Sequence, residues 1–403
     1  MSALAASLRL RASSRACDDV DLLAASRHAG FGWLSPDGAG CVGIGVAARV
    51  APEDAVDALA AITHDDDSGT PAAGPRALGA LSYDGDTPTG LVLPTWLLAR
   101  DAEGRGWITH LGTNLDERDE PEPFLTLAPD APTSTRPSRP HLDVRSRRDR
   151  DQWRRAVDRI LDAIAAGAIQ KLVLAREVDV DADAPFDRHR IIEHLHAEQP
   201  TCFVYVDGNF VGASPELLVR RAGAIVTSKP VAGTGPARAP RRLTESVKDR
   251  HEHRLVVDAI VETLEPWCAT LDVAREPAVA TFGRLAHLST PITGVLRDPI
   301  PSAVDLARRL HPTPAVGGSP TAPALALQRE LEGFDRGRYA GPIGWVDARG
   351  DGEWVLALRG AELDGTHARL VAGAGIVAGS DPDAEWEETE AKLAPTLRAL
   401  AGR

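Results

Sequence analysis

The chain has 403 residues, of which 43% are hydrophobic and 26% charged, and its formal net charge is −13. This composition supports a large hydrophobic core, and the negative charge argues against nucleic acid or an anionic membrane as a partner. No apolar run approaches the roughly 18 residues that a membrane span needs. The first ten residues lack the basic-then-apolar order of a signal peptide, so a cytoplasmic protein is expected.

The cysteines are few and widely separated. The sequence contains four of them and no C-x-x-C pair. They are Cys17, Cys41, Cys202 and Cys268. This spacing argues against both a disulfide scaffold and a zinc ribbon, and it favours a reducing compartment.

Three regions follow one another along the chain. Residues 1–115 are predicted to form an N-terminal subdomain of short strands punctuated by glycines, with a short helix over 51–62. Residues 116–147 are rich in proline and charge, which indicates an exposed connection. Residues 148–403 are predicted to form the catalytic region, intertwined with the first region in a single domain.

Apolar periodicity predicts further helices over 151–166, 246–265, 303–310 and 325–333. Tight Asp-Gly and Ala-Gly links between strands indicate antiparallel hairpins, and 230–236 is interpreted as a glycine-rich loop. Strict alternation of strands and helices is absent, which argues against a doubly wound sheet. The predicted fold class is α+β, a layered arrangement of two large antiparallel sheets packed together with helices outside.

The C-terminal stretch runs from an apolar strand into a helix. Its strand end carries Gly373, Gly375 and Gly379, where backbone can approach a ligand closely. Ser380 or Asp381 can cap the helix, and Pro382 suits its first turn.

On that helix Glu385, Glu388 and Lys392 share one face, while Trp386 lies on a face that packs inward. Two carboxylates and a lysine there can hold a divalent cation and an anion side by side. An ordinary Glu388–Lys392 pair at a helix start explains the same residues.

A second pair of carboxylates, Asp249 and Glu252, has the same i, i+3 spacing at another helix start. If Asp249, Glu252, Glu385 and Glu388 converge, their mutual repulsion requires a cation, and oxygen-only ligands favour Mg²⁺. For Asp249 a capping role with Ser246 is the alternative.

Lys171 and Glu216 are complementary by type. A lysine among apolar strand neighbours can act as a base, and a glutamate between Pro215 and Leu217 can act as an acid. On local sequence alone, an ordinary lysine at a strand end and an ordinary glutamate in a turn are the favoured interpretation.

Two further side chains have both a functional and an ordinary interpretation. Arg359 ends the apparent strand 354–359 and requires an anionic partner, which is either a substrate carboxylate or an ordinary ion pair. His287 lies in an apolar segment and is either functional or a core histidine.

Two familiar motifs are not matched. His251-Glu-His253 lacks the second histidine that H-E-x-x-H requires, since Leu255 stands there. The glycines of 373–379 fit neither the dinucleotide-binding spacing nor a phosphate loop, because no lysine follows.

Taken together, these pieces resemble the chorismate-utilising enzymes, over roughly residues 150–395 and in the same order and spacing. The segments that carry the resemblance are 171–176, 212–216, 230–234, 246–253, 285–288, 311–318, 341–345, 352–359 and 372–377, followed by Glu385, Glu388 and Lys392. The chorismate-utilising enzyme fold is therefore expected.

The resemblance implies a role for each matching position. Lys171 corresponds to the base that activates water for attack at C2 of chorismate, and Glu216 to the acid that protonates the departing C4 hydroxyl. The pair implies a bell-shaped pH profile. The implied metal is Mg²⁺, held by Glu252 and Glu388 with support from Asp249 and Glu385. The implied substrate-binding positions are Gly233, Thr234, His287, Ala315, Arg359, Gly373, Ala374 and Lys392.

Within the family, the sequence resembles most the isochorismate synthase branch, an isomerase. Anthranilate synthases carry glutamine at position 171, and aminodeoxychorismate synthases carry a nucleophilic lysine where this chain has Ala232. Salicylate synthases share Lys171 and Glu216 but go on to eliminate pyruvate, and they are the enzymatic alternative. The alternative outside enzymes is a catalytically silent homologue that binds chorismate or metal. A monomer without nucleic-acid or membrane partners is expected, and a siderophore or a quinone pathway is left open.

Overall fold

The structure is a computed structural model that describes residues 9–18, 20–70, 72–85, 90–113, 115 and 140–402. In this part of the chain two large sheets, one small sheet and nine α-helices are formed. No helix among these residues combines the length and the apolar character needed to cross a membrane.

The first strands alternate with short helices. They are β1 (Arg11–Ala16), β2 (Phe31–Leu34), β3 (Gly40–Ile44), β4 (Ala48–Val50), β5 (Thr63–Asp67), β6 (Arg76–Ala80), β7 (Leu91–Leu93), β8 (Trp96–Arg100) and β9 (Gly106–Gly112). The later strands are β10 (Leu142–Ser146), β11 (Lys171–Ala182), β12 (Phe203–Asp207), β13 (Phe210–Ser214), β14 (Leu217–Ala222), β15 (Ile225–Lys229), β16 (Val231–Pro236), β17 (Cys268–Val273), β18 (Ala278–Phe282), β19 (Leu285–Ser289), β20 (Ile292–Leu296), β21 (Gly318–Ser319), β22 (Pro342–Asp347), β23 (Gly352–Leu356), β24 (Gly360–Asp364) and β25 (His367–Val377).

The helices range from one turn to nineteen residues. They are α1 (Leu22–Ala25), α2 (Ala55–Ala60), α3 (Arg150–Ala165), α4 (Arg188–Glu198), α5 (Arg241–Glu245), α6 (Val247–Leu264), α7 (Ala303–Leu310), α8 (Thr321–Glu332) and α9 (Pro382–Leu400). Short 3-10 helices occur at Ser26–His28, Pro52–Asp54 and Glu265–Trp267.

The larger sheet has the strand order β10-β11-β25-β24-β13-β12-β2-β3-β8-β9-β1-β5, with β21 also paired to β11. The second sheet has the order β17-β20-β15-β14-β23-β22-β6-β7-β4, and the small sheet is β16-β19-β18. Among the described strands only β1 and β5 pair in parallel. The expected α+β fold with large antiparallel sheets is confirmed, and the small third sheet is an addition to it.

Strands from the two ends of the chain share both large sheets. In the larger sheet β2 pairs with β12, and in the second sheet β6 pairs with β22. Of the expected connection over 116–147, residues 116–139 lie outside the described residues, and the described end forms β10 against β11. The division of the chain near residues 115 and 147 stays a prediction.

The large sheets pack face to face through aromatic and aliphatic side chains. Trp33 and Tyr205 from the larger sheet meet Ile343 and Val355 from the second sheet in one cluster. On the outside, α4 and α9 cover the larger sheet, while α6 and α7 cover the second. This layering places the beginnings of α6 and α9 near the strands β16 and β25.

Local sequence fixes where α6 and α9 begin. Ser246 accepts a hydrogen bond from the backbone of Asp249 at the start of α6, and Asp381 does the same for Ala384 at the start of α9. These caps satisfy backbone N–H groups that no helical carbonyl can reach. The carboxylates of the first helical turns are held in place as a result.

Two local expectations are wrong, and three helices, α1, α4 and α5, were not expected. Residues 231–236 form the strand β16 rather than a loop, with a bulge at Gly233, whose φ is +70°. The strand β23 ends at Leu356, so Arg359 lies beyond it with a positive φ of 53°. The helix α4, capped by Asp187, was missed.

A buried ion pair ties α8 to the strand β11. Glu332 and Arg336 lie 2.6 Å apart, and their side chains are 3% and 2% exposed. The Glu332 carboxylate also accepts from the backbone N–H of Ala175, while Arg336 donates to the carbonyls of Val173 and Val316. The pair therefore holds the strand that carries Lys171 against the segment that carries Ala315.

We expect Glu332→Ala to lower the free energy of unfolding by about 3–5 kcal/mol, because it leaves the Arg336 guanidinium buried without a counter-charge. Urea denaturation followed by circular dichroism measures the change. The matched control is Glu330→Ala on the same helix, whose carboxylate is 58% exposed in its pair with Arg159 and is expected to cost less than about 1 kcal/mol. Equal losses for the two variants would contradict the prediction.

Candidate active site

A cavity lies beneath the beginnings of α6 and α9, and it is called the inner cavity here. Its walls come from β11, β16, β19 and β25 and from the segments that follow β13 and β23. Most of the residues expected from the sequence line it: Glu216, Gly233, Thr234, Glu252, His287, Ala315, Arg359, Gly373 and Lys392. Side chains separated by up to 176 positions in the sequence are thus brought together.

A second, more open cavity adjoins the first, and the two share Thr234 as a lining residue. We refer to it as the vestibule. Asp249, Glu385 and Glu388 line it, together with Lys248. The four expected metal-binding carboxylates therefore divide between two neighbouring spaces, with Glu252 on the inner side.

A lysine contacts three of these four carboxylates. Lys171 Nζ lies 2.9 Å from Glu252 Oε1, and Lys392 Nζ lies 2.7 Å from Glu388 Oε1. Lys248 donates a hydrogen bond to Glu385. Each ammonium compensates a carboxylate that burial would otherwise destabilise.

The chemistry of this donor set fits Mg²⁺. The acids supply only oxygen atoms, which hard divalent cations prefer, and two of them come from each of two helix starts. Within the described residues no three acidic, histidine or cysteine side chains already converge in a coordination geometry. The lysine contacts account for this, because each ammonium holds its carboxylate in a separate ion pair.

Gly375 provides the room that Glu252 and Lys171 occupy. A Cβ atom at position 375 would lie 2.1 Å from Glu252 Oε1 and 3.1 Å from Lys171 Cε. No side chain fits there without displacing the carboxylate. The glycine of β25 is therefore needed for close approach, as the sequence indicated for this strand end.

Burial and neighbouring charge act in opposite directions on the acids. For Glu252, burial opposes ionisation, but Lys171 and then Lys392 outweigh it and lower the pKa. For Glu385, burial and the adjacent Glu388 charge raise the pKa although Lys248 opposes them. Burial likewise raises the pKa of Asp249. Of the acids that face the vestibule, Asp249 and Glu385 are therefore the two whose carboxylates lack sufficient positive charge nearby.

Glu216 is held as a buried acid. It is 3% exposed, and burial raises its pKa to about 8 although the positive charges of Lys171 and Lys392 oppose the shift. Its backbone N–H donates to Ser214 Oγ, whose hydroxyl donates to the carbonyl of Leu356. At neutral pH the side chain is therefore protonated and in a fixed position.

Arg359 is a buried cation with spare hydrogen-bonding capacity. Its Nη2 atom donates to His287 Nε2 at 2.8 Å, and its Nη1 atom has no partner in the described part of the structure. His287 Nδ1 donates to the carbonyl of Gly233 at 3.1 Å, which leaves Nε2 as an acceptor. Burial, followed by the charges of Arg359 and Lys392, lowers the pKa of His287, so the ring is neutral.

Two of the expected residues line neither the inner cavity nor the vestibule. Lys171 lies behind Glu252 rather than on the cavity wall, with a side chain that is fully buried. The side chain of Ala374 points to the opposite face of β25 and packs in a cluster with Trp153 and Leu174. Alternation along the strand makes this inevitable once Gly373 and Gly375 face the cavity.

Lys248 and Tyr339 belong to the site but were not singled out in the sequence. Tyr339 is 8% exposed and lines the inner cavity, and burial raises its pKa. Lys248 follows Ser246 at the start of α6, where its local context resembles that of any surface lysine. For Lys248 the only sequence signal is its position within the acidic helix start.

Comparisons with known proteins agree with this geometry. A family model described as chorismate binding enzyme matches residues 47–401. A Mycobacterium tuberculosis protein named as a candidate isochorismate synthase, MenF, is 42% identical over 349 residues, which cover 81% of this chain and 86% of that protein. The Bacillus subtilis isochorismate synthase DhbC is 39% identical over 269 residues, which cover 62% of this chain and 68% of that protein.

Among solved structures, Escherichia coli MenF, described as the menaquinone-specific isochorismate synthase, has a TM-score of 0.81 at 27% identity. The alignment covers 97% of this chain and 94% of that one. The family match extends over most of the sequence and includes both helix starts and the inner cavity. The chain belongs to the family of chorismate-binding enzymes.

Proposed function

We propose that this chain is an isochorismate synthase, an isomerase that converts chorismate to isochorismate with the help of Mg²⁺. The observation that carries the proposal is the pairing of Glu216, buried with a pKa of about 8, with the fully buried Lys171 beside one cavity. The reaction requires an acid and a base of this kind at opposite ends of the allylic system. The names of the relatives support the same activity.

The inner cavity offers two positive groups to a dianion. Chorismate carries a ring carboxylate and an enolpyruvyl carboxylate. The free Nη1 atom of Arg359 is suited to accept one carboxylate oxygen, and Lys392, which donates to the carbonyl of Gly373, lies on the same wall. Neutral His287 holds the guanidinium from behind without cancelling its charge.

The proposed chemistry is a balanced exchange of hydroxyl groups. Lys171, which must be in its neutral amine form for this step, removes a proton from a water molecule, whose oxygen forms a bond to C2 as the ring double bonds shift. The C4–oxygen bond breaks, and Glu216 delivers its proton so that the hydroxyl leaves as water. One water enters and one departs, so substrate and product are isomers.

Glu252 and Glu388 are proposed as direct Mg²⁺ ligands, with Asp249 and Glu385 in support. When bound, the ion would neutralise the carboxylates and orient a substrate carboxylate. This chain's own part is to present oxygen atoms from two rigid helix starts. The lysines that pair with these acids are positioned to hold them in place without metal.

The decisive experiment is incubation of the purified protein with chorismate and Mg²⁺, followed by chromatography of the products. We expect isochorismate to form, and EDTA to abolish its formation until excess Mg²⁺ is restored. Fluorescent salicylate as the main product would identify a salicylate synthase instead. Chorismate binding without any product would indicate a silent homologue and would contradict the proposal.

We expect Lys171→Ala to lower kcat by at least about 10²-fold while the far-UV spectrum stays native, because the variant lacks the base that activates water. The matched control is Lys229→Ala, which removes an exposed strand lysine and is expected to leave kcat unchanged. If Lys171→Ala turns over chorismate at the wild-type rate, the assignment of Lys171 as the base is refuted.

The raised pKa of Glu216 predicts an alkaline limit to activity. The acid must carry its proton, so kcat/KM of the wild type is expected to fall as pH rises through about 8. The variant Glu216→Gln is expected to lose activity by about 10²–10⁴-fold, and its remaining activity is expected not to fall as pH rises through about 8. A wild-type profile that stays flat between pH 6 and 9 would overturn the role of Glu216.

A stability measurement checks the same pKa without turnover. A carboxyl group whose pKa rises on folding stabilises the protein below its unfolded value of 4.5 and loses that contribution as pH rises through about 8. The unfolding free energy of the wild type, relative to Glu216→Gln, is therefore expected to decrease across this range.

A further inference from the structure

The vestibule presents an electrostatic difficulty to the proposed substrate. Asp249, Glu385 and Glu388 line it, and only Lys248, Arg284 and Arg398 oppose them there. Arg398 is moreover held by Glu198 at 3.1 Å. A dianion that reaches the inner cavity by this route passes a row of like charges, within a chain whose net charge is −13.

A group of arginines lies where it can compensate for these acids. The segment between β16 and α6 carries Arg238, Arg241 and Arg242, all exposed. The elements on either side of this segment line the vestibule, through Pro236 at the end of β16 and Lys248 at the start of α6. We call these three arginines and Arg284, which lines the vestibule itself, the arginine rim.

The rim is fixed to the walls of the site. The backbone N–H of Ala237 donates to the carbonyl of Arg284 at 2.9 Å. Leu243 is 2% exposed and packs with Ala286 and Leu288 of β19, the strand that also carries His287. The rim is therefore attached to an element that contributes to the inner cavity.

The four arginines have no acidic partner among the described residues. Most other arginines near acids in this chain form ion pairs, for example Arg147 with Asp179 and Arg154 with Asp383. Within the part of the chain that the structure describes, no ion pair or side-chain hydrogen bond is formed by any of the rim arginines: Arg238, Arg241, Arg242 and Arg284. The segment between β16 and α6 contains one acid, Glu245, beside its three arginines, so its net charge is positive.

We propose that the arginine rim captures the dianionic substrate and accelerates its entry through the vestibule. The inference rests on the proposed function, because it requires a substrate with two carboxylates. Positive charge outside an acidic passage raises the local concentration of an anion and its rate of association. Such a contribution weakens as salt shortens the Debye length to about 8 Å at physiological ionic strength.

The test compares two triple variants of equal charge. The rim variant is Arg238→Gln/Arg241→Gln/Arg242→Gln. The matched control, Arg15→Gln/Arg155→Gln/Arg329→Gln, removes three exposed arginines that also lack acidic partners among the described residues and line neither cavity. With Mg²⁺ kept saturating, kcat/KM for chorismate is measured between about 20 and 300 mM salt.

At low salt we expect the rim variant to lose about tenfold in kcat/KM while kcat stays unchanged, and to show a much weaker dependence on salt than the wild type. The control variant is expected to keep both the wild-type value and its salt dependence. If the rim and control variants behave alike, the proposal is overturned.

A binding measurement separates this outcome from failure of the proposed function. The affinity for chorismate is measured by calorimetry at low salt, with Glu216→Gln as the common background of both triple variants. Weaker binding in the rim variant alone supports capture of the dianion even if the product is not isochorismate. Equal affinity in both variants overturns the proposal that the arginine rim captures the dianion. A wild type that makes no isochorismate contradicts only the proposed function.

Discussion

The contact between Lys171 and Glu252 is the interaction on which the site depends. Two opposite charges 2.9 Å apart are buried where β11 and β25 run side by side. Taking either group out of water alone would cost several kcal/mol, so each requires the other or an equivalent charge. The same rule extends outward to Lys392 with Glu388 and Lys248 with Glu385, and it explains why acids and lysines alternate through this region.

The surrounding fold places these charged groups at defined positions around the inner cavity. Capped helix starts bring the acids of α6 and α9 to one end of the sheets, while β25 supplies glycine where Glu252 needs space. Arg359 and His287 form the opposite side of the inner cavity, with a guanidinium whose charge nothing in the described structure neutralises by an acid. The proposed dianion thus meets one region that needs a cation and another that needs an anion.

Much of this arrangement is readable from the sequence because the signals are local. Asp381 and Pro382 mark the start of α9, apolar periodicity marks α7, and the segment order identifies the family. The helix α4 is not among the predicted elements, although the Asp187 cap and the spacing of its apolar residues are typical of a helix. The strand β16 was taken for a loop because a bulge at Gly233 resembles a turn. The partners of Lys248 and the outward direction of Ala374 arise from contacts between distant elements, which no local pattern contains.

The pairing of β2 with β12 and of β6 with β22 has a consequence for any attempt to dissect the protein. Cutting the chain near residue 115 and keeping only the later part would leave one edge of β12 and one edge of β22 without a partner strand. Such open strands are templates for further chains, and they promote aggregation rather than a smaller soluble enzyme. The early strands therefore act as built-in covers for two sheet edges, and their contribution to activity is indirect.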